Sequence, residues 1–275
     1  MMRAAVCAAL ILTATRAAAQ SALPDGVFPQ AHFQITYEKY VDRPEEYAPL
    51  YSWDAWMQLD ATVWRRHANA VAVTADIQTV GTENLHSKVS VGAAGYVLGF
   101  GYTRAMRALD LSAGFQHVSS HLTRDLDDKE SDVRSYGGTI PHVVDPAEFN
   151  IVYIKGAGTL TRLPFAPHVV ALVAPVAFRF NASPAGNVRR VYVSTEWTMW
   201  KGLGDALVVE TQHELGPNLL DVYTVRFDLL RRDDTATFQI FLAAAPGHEL
   251  HVSPIAGAVL DGLSVGARLA FHSTR

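Results

Sequence analysis

Apolar side chains fall on every second position in one segment of this chain after another. Leu263, Val265, Ala267, Leu269 and Phe271 alternate with Ser264, Gly266, Arg268 and Ala270. Ala236, Phe238, Ile240, Leu242 and Ala244 repeat the pattern, with Thr237 and Gln239 between them. So do Tyr223 to Leu229, Val191 to Met199 and Val71 to Ile77. Successive side chains of a strand point to opposite faces, so each segment reads as a strand with one apolar and one small or polar face. The pattern predicts twelve strands: 33–41, 52–66, 69–80, 88–104, 106–121, 149–162, 168–181, 187–200, 204–214, 219–231, 234–245 and 259–271.

Strand length decides between two all-β architectures. A soluble sandwich alternates in the same way, with its apolar face inward. Its strands average about 5–6 residues, whereas tilted membrane strands need about 9–11. Most segments here meet the longer requirement. Aromatic residues also gather toward segment ends, at Tyr40, Trp53, Trp56, Trp64, Tyr102, Trp197 and Trp200. That is how aromatic girdles mark the two edges of a bilayer. The expected fold is therefore a single antiparallel transmembrane β-barrel, all-β, of about twelve strands, with an even strand count and both termini at one end. The longest connection, 122–148, then falls outside the cell. The short ones at 67–68, 105 and 232–233 fall in the periplasm, the usual asymmetry of such barrels.

The N-terminus agrees with export. Arg3 opens a short positive region, Ala4 to Ala14 are mostly apolar, and Ala17-Ala18-Ala19 supplies a small-residue cleavage pattern. Residues 1–20 are expected to be a signal peptide and 21–275 the barrel. No other run holds 18 consecutive apolar residues, so no transmembrane helix is predicted. Removing the signal removes Cys7, the single cysteine, and leaves no disulfide framework. It also removes Arg3 and Arg16, leaving 21 basic against 27 acidic side chains. Such a mildly acidic chain without a basic run has no expected nucleic-acid partner. Hydrophobic residues make up 49% and charged residues only 18%, against a usual charged share of about 25%. Alternation reconciles an apolar chain with the absence of a transmembrane helix.

The final strand ends in Leu269-Ala270-Phe271. This resembles the C-terminal signal read by the barrel assembly machinery, although His272 to Arg275 run past the aromatic. The inward face is expected to carry Asp60, Asp76, Asp110, Arg179, Glu196, Glu210, Arg226, Asp228 and Arg268. Charges of both signs facing one lumen imply a paired network that fills it, or alternatively a selective pore.

Candidate chemistry sits at the outer end of the fifth strand, in Gln116-His117-Val118-Ser119-Ser120-His121-Leu122. Leu109, Leu111, Ala113 and Phe115 form the lipid-side set, and His117, Ser119 and His121 continue it. An imidazole and a hydroxyl two residues apart on one strand face are neighbours, the arrangement that activates a serine. Polar side chains at a lipid boundary are costly, which makes them functional candidates. A third residue must orient the imidazole, and Glu148 and Asn150 lie at the outer rim of the next strand. Ser119 would attack an ester carbonyl, His117 would take its proton, and Glu148 or Asn150 would hold the ring. A calcium ion could assist as an electrophile, with oxygen ligands from the loop acids Asp125, Asp127 and Asp128, or Glu130 and Asp132. Their spacing is not that of an EF-hand, and an acidic loop is also simply well solvated. His117 and His121 with these acids form an alternative, unspecific metal set.

The His-x-Ser pair on the lipid side resembles the active sites of outer-membrane phospholipase A and of the outer-membrane lipid A 3-O-deacylase. That resemblance implies acyl-ester hydrolysis with lipid or lipopolysaccharide as the partner. In those families Asn follows the serine; here Ser120 does. The wider string His117-x-Ser119-Ser120-His121-Leu122 is similar to a family of bacterial outer-membrane barrels with a His-x-Ser-Ser-His-Leu-Gly-Asp-Glu signature. Thr123-Arg124-Asp125 stands where that signature has Gly-Asp-Glu, and the similarity is best over the second to fifth strands. It implies the barrel and supplies no activity. Three functions follow: a non-catalytic outer-membrane barrel, a lipid acyl-ester hydrolase, and a small pore.

Overall fold

A computed structural model describes residues 25–42, 52–82, 90–107, 109–122, 147–178, 190–215, 220–230, 235–253 and 257–274. Expectations for the signal peptide, Arg179 and the acidic loop lie outside them. Twelve strands form one closed barrel in which each pairs with its sequence neighbours and the last returns to the first. They are β1 (Gly26–Asp42), β2 (Trp53–Arg66), β3 (Asn69–Thr82), β4 (Ser90–Ala105), β5 (Asp110–Leu122), β6 (Ala147–Thr159), β7 (His168–Phe178), β8 (Arg190–Lys201), β9 (Asp205–Leu215), β10 (Leu220–Leu230), β11 (Ala236–Ser253) and β12 (Gly257–Thr274). Every pairing is antiparallel.

The alternation resolves into an outside and an inside. Leu98, Phe100, Val152, Ile154, Val225 and Ile240 are exposed on the outer wall. In water such a wall would be unstable; around a closed barrel it is the surface a bilayer requires. The protein is thus a β-barrel of the outer-membrane class.

Inside, the lumen divides by chemistry. Val97, Val118, Ile151, Tyr153, Leu172 and Ala174 pack into an apolar cluster against the wall of β4 to β7, with Tyr192 beside them. Across from it lies a charged network. Arg226 grips Asp228 with its Nε and Nη2, at 2.5 and 3.0 Å, and also pairs with Glu210 and Glu196. Arg268 donates to Gln239 and Thr36, each at 3.3 Å. Of the charges expected in the lumen, Glu196, Glu210, Arg226, Asp228 and Arg268 take part in this network. Among the described residues the lumen holds a cavity of about 260 Å³, lined in part by Glu38, Asp54, Asp76, Tyr192, Gln212 and Arg268.

Of the departures from the expected strand boundaries, the three largest each fall at a bulge or turn. β1 begins at Gly26 because a register shift between Val27 and Gln30 accommodates Pro29, which has no N–H to give the ladder. β11 runs on past Pro246 through a second shift between Ala245 and Leu250. The connection expected at residue 105 alone is longer, with Met106 and Leu109 exchanging backbone hydrogen bonds of 2.9 and 3.4 Å. One residue cannot reverse an antiparallel pair; a two-residue loop is the shortest common solution. Two aromatics assigned to the outer girdle face inward instead. Trp56 lines the lumenal cavity, and Tyr40 lies on the lumenal parity of β1, 5% exposed, with its hydroxyl toward Glu38. Position near a strand end does not decide the face; parity does.

Candidate functional site

β5 pairs with β4 and β6 without a register shift in the described residues. His117 therefore has Leu98 on one side and Asn150 on the other, and Ser119 has Tyr96 and Glu148. Directly opposed residues share a face. Leu98 and Tyr96 are 58% and 41% exposed on the outer wall, so His117, Ser119 and Asn150 all belong to the lipid side, near the end of β5 remote from the termini.

The third residue comes from that register. Asn150 stands directly across from His117, and the His117 ring meets it through Nδ1 and the Asn150 Oδ1, 3.2 Å apart. With the Asn150 amide in this orientation its oxygen accepts from Nδ1–H, and in the neutral ring that leaves the lone pair on Nε2. That is the tautomer a general base needs. Asn150 is 3% exposed and Ser119 6%, so both are shielded although their strand face turns to lipid. The Asn150 Nδ2 has no hydrogen-bond partner among the described residues, which leaves a buried donor free. Among the same residues, Ser119 and His117 are not hydrogen-bonded to each other in this conformation. Same-face neighbours along a strand are about 7 Å apart at Cα, close enough for rotamer changes to join the two side chains.

Glu148, the other candidate for the third position, stands opposite Ser119 by register; its side chain, like that of His121, is outside the described residues. So are the loop acids Asp125, Asp127 and Asp128.

Behind the site the wall is held tightly. Tyr153 sits on β6 across from Gly114, which in turn faces Gly101 on β4. A Cβ added at Gly114 would come within 2.5 Å of the Tyr153 hydroxyl oxygen, and one at Gly101 within 2.6 Å. The Tyr153 ring thus lies across two glycines on the lumenal side of β4, β5 and β6, the last two of which carry His117 and Asn150. Sequence reasoning missed this lock, although Gly-x-Gly at 99–101 and a facing Gly114 are visible signals of close approach.

No protein-family model and no curated protein matches the chain. Among solved structures it is similar to an outer-membrane channel from Pseudomonas putida F1, at 10% identity over 94% of this chain and 100% of that one, with a TM-score of 0.54. It is similar to the outer-membrane phospholipase A of Escherichia coli at 8% identity, 87% and 92% coverage and a TM-score of 0.52. It is similar to the KdgM porin at 8% identity, 89% and 99% coverage and a TM-score of 0.50. These similarities establish the fold and, with the apolar outer wall, an outer-membrane setting. They leave activity to the residues.

Proposed function

We propose that this barrel is a serine acyl hydrolase acting on ester-linked acyl chains of outer-membrane lipids. The observation that carries the proposal is the His117–Asn150 hydrogen bond on the lipid side of the wall, with Ser119 two residues away on the same face. Its chemistry follows from the tautomer. Ser119 Oγ adds to the ester carbonyl while its proton passes to His117 Nε2. The Nδ1–H, held by the Asn150 Oδ1, keeps the ring aimed and steadies the imidazolium that forms. Collapse of the tetrahedral adduct breaks the bond to the alcohol, which takes the proton from Nε2 and departs. Water, deprotonated by the same nitrogen, then releases the fatty acid from Ser119. An amide orients the base as a carboxylate does, but it brings no charge to offset the imidazolium. A site on the outside of a barrel suits a substrate that diffuses within the membrane plane.

The test is fatty-acid release by the refolded barrel from phospholipid and, separately, from lipopolysaccharide, with and without calcium. The expected result is turnover on one of the two that falls at least about 10³-fold in Ser119→Ala, as loss of a nucleophile does. A folded barrel inactive on both substrates overturns the proposal and leaves a structural or transport barrel.

A further inference from the structure

His272 lies in the short stretch beyond the terminal aromatic, and neither the barrel nor the proposed hydrolysis has a use for it. It pairs directly with His32 across the β1–β12 seam. Both share the lumenal parity of Gln34, Thr36 and Arg268, close to the end of the barrel that bears the termini. Their rings are 4.5 Å apart between centroids, and the two Nδ1 atoms face each other at 3.0 Å. Two nitrogens so placed either share one proton or turn both lone pairs to a common point. For a first-row metal with metal–nitrogen distances of about 2.0–2.1 Å, cis ligands lie about 2.9 Å apart at a right angle and about 3.4 Å at a tetrahedral one. The observed separation falls within that interval without any backbone movement.

The surroundings suit a cation. Asp60 is the partner of His32 on β2 and so completes one row across three strands. Its Oδ1 accepts from the Thr74 hydroxyl at 2.6 Å. Asp60 and His272 are exposed to solvent at this mouth, which gives an ion free entry. Among the described residues no three His, Cys, Asp or Glu side chains converge on one point. A metal held here would have the two imidazoles as its direct protein ligands and water for the rest of its shell, with Asp60 contributing charge from its place in the row.

We propose that His32 and His272 form a binding site for a transition-metal dication of the zinc or copper kind, which clasps the seam where the first and last strands close the barrel. Imidazole ligands with water favour these ions over calcium or magnesium. Because the ligands come from opposite ends of the chain and adjoin only in the closed barrel, binding is coupled to closure.

The experiment uses the complete barrel refolded in detergent without a histidine tag. Stoichiometric Cu²⁺ is expected to give an electron paramagnetic resonance spectrum with hyperfine coupling to two imidazole nitrogens, lost in His272→Gln and in His32→Gln. Zn²⁺ at 100 times its Kd is expected to shift the wild-type unfolding equilibrium about 100-fold toward the folded form. EDTA should reverse the shift and both variants should lack it. Two substitutions guard against one variant failing to fold, and each is first checked for barrel formation by its heat-dependent migration on gels. Copper bound through fewer than two nitrogens, or a zinc shift surviving in a folded His272→Gln barrel, overturns the proposal. None of these outcomes depends on Ser119, so they stand apart from the hydrolase test.

Discussion

Asn150 and His117 meet because β5 and β6 pair in a register that sets them face to face. A neutral hydrogen bond is worth about 1 kcal/mol, so Asn150→Ala is expected to lower kcat/KM for lipid hydrolysis by about five- to tenfold, well short of the loss in Ser119→Ala. Asn150→Asp keeps an acceptor opposite Nδ1 and should retain more activity than Asn150→Ala. Steady-state fatty-acid release by the three variants checks the order; equal activity in Asn150→Ala and wild type would remove Asn150 from the site. That His117 and Ser119 share the lipid face was legible in the sequence, since parity along one strand needs no tertiary information. The choice of Asn150 over Glu148 was not. It depends on where β6 begins pairing with β5, and a register shift of two residues would have set Glu148 opposite His117 instead.

The elements around the site owe their fit to a large ring over two small residues. Gly101→Ala would press a methyl group against the Tyr153 hydroxyl, and over-packing of this kind costs about 1–3 kcal/mol. Tyr153→Ala opens the space at its own cost. If the contact is direct, the double variant Gly101→Ala/Tyr153→Ala should lose less stability than the sum of the two single losses, measured by urea unfolding of the refolded barrel. Additive losses would mean that Tyr153 does not rest on Gly101. β1 and β11 show why periodicity mispredicted strand ends. Pro29 and Pro246 interrupt the alternation without ending a strand, because a bulge at each absorbs the missing donor.

At the scale of the whole molecule, two adjacent residues of β10 have opposite solvents. Val225 is exposed on the outer wall, whereas Arg226 is buried in the lumen among Glu196, Glu210 and Asp228. Val225→Arg places a charge near the middle of the lipid belt, at a cost of about 2–4 kcal/mol. Arg226→Met strands acids in the lumen, and breaking a buried pair from one side costs about 3–5 kcal/mol. Equilibrium unfolding in lipid vesicles is expected to show both variants destabilised, with Val225→Met close to wild type. A neutral outcome for Val225→Arg would mean that this wall does not face lipid.

The alternation, the strand lengths and the short turns at one end sufficed to specify an antiparallel barrel of twelve strands and the side of the wall on which His117 and Ser119 stand. These are properties of one strand at a time, and a period of two records them directly. The residue that stands opposite His117, the glycines beneath Tyr153 and the meeting of His32 with His272 are properties of strand pairs. Register fixes them, and register follows from closing the whole sheet, down to the seam that brings together residues at opposite ends of the chain. Only the tertiary structure could decide them.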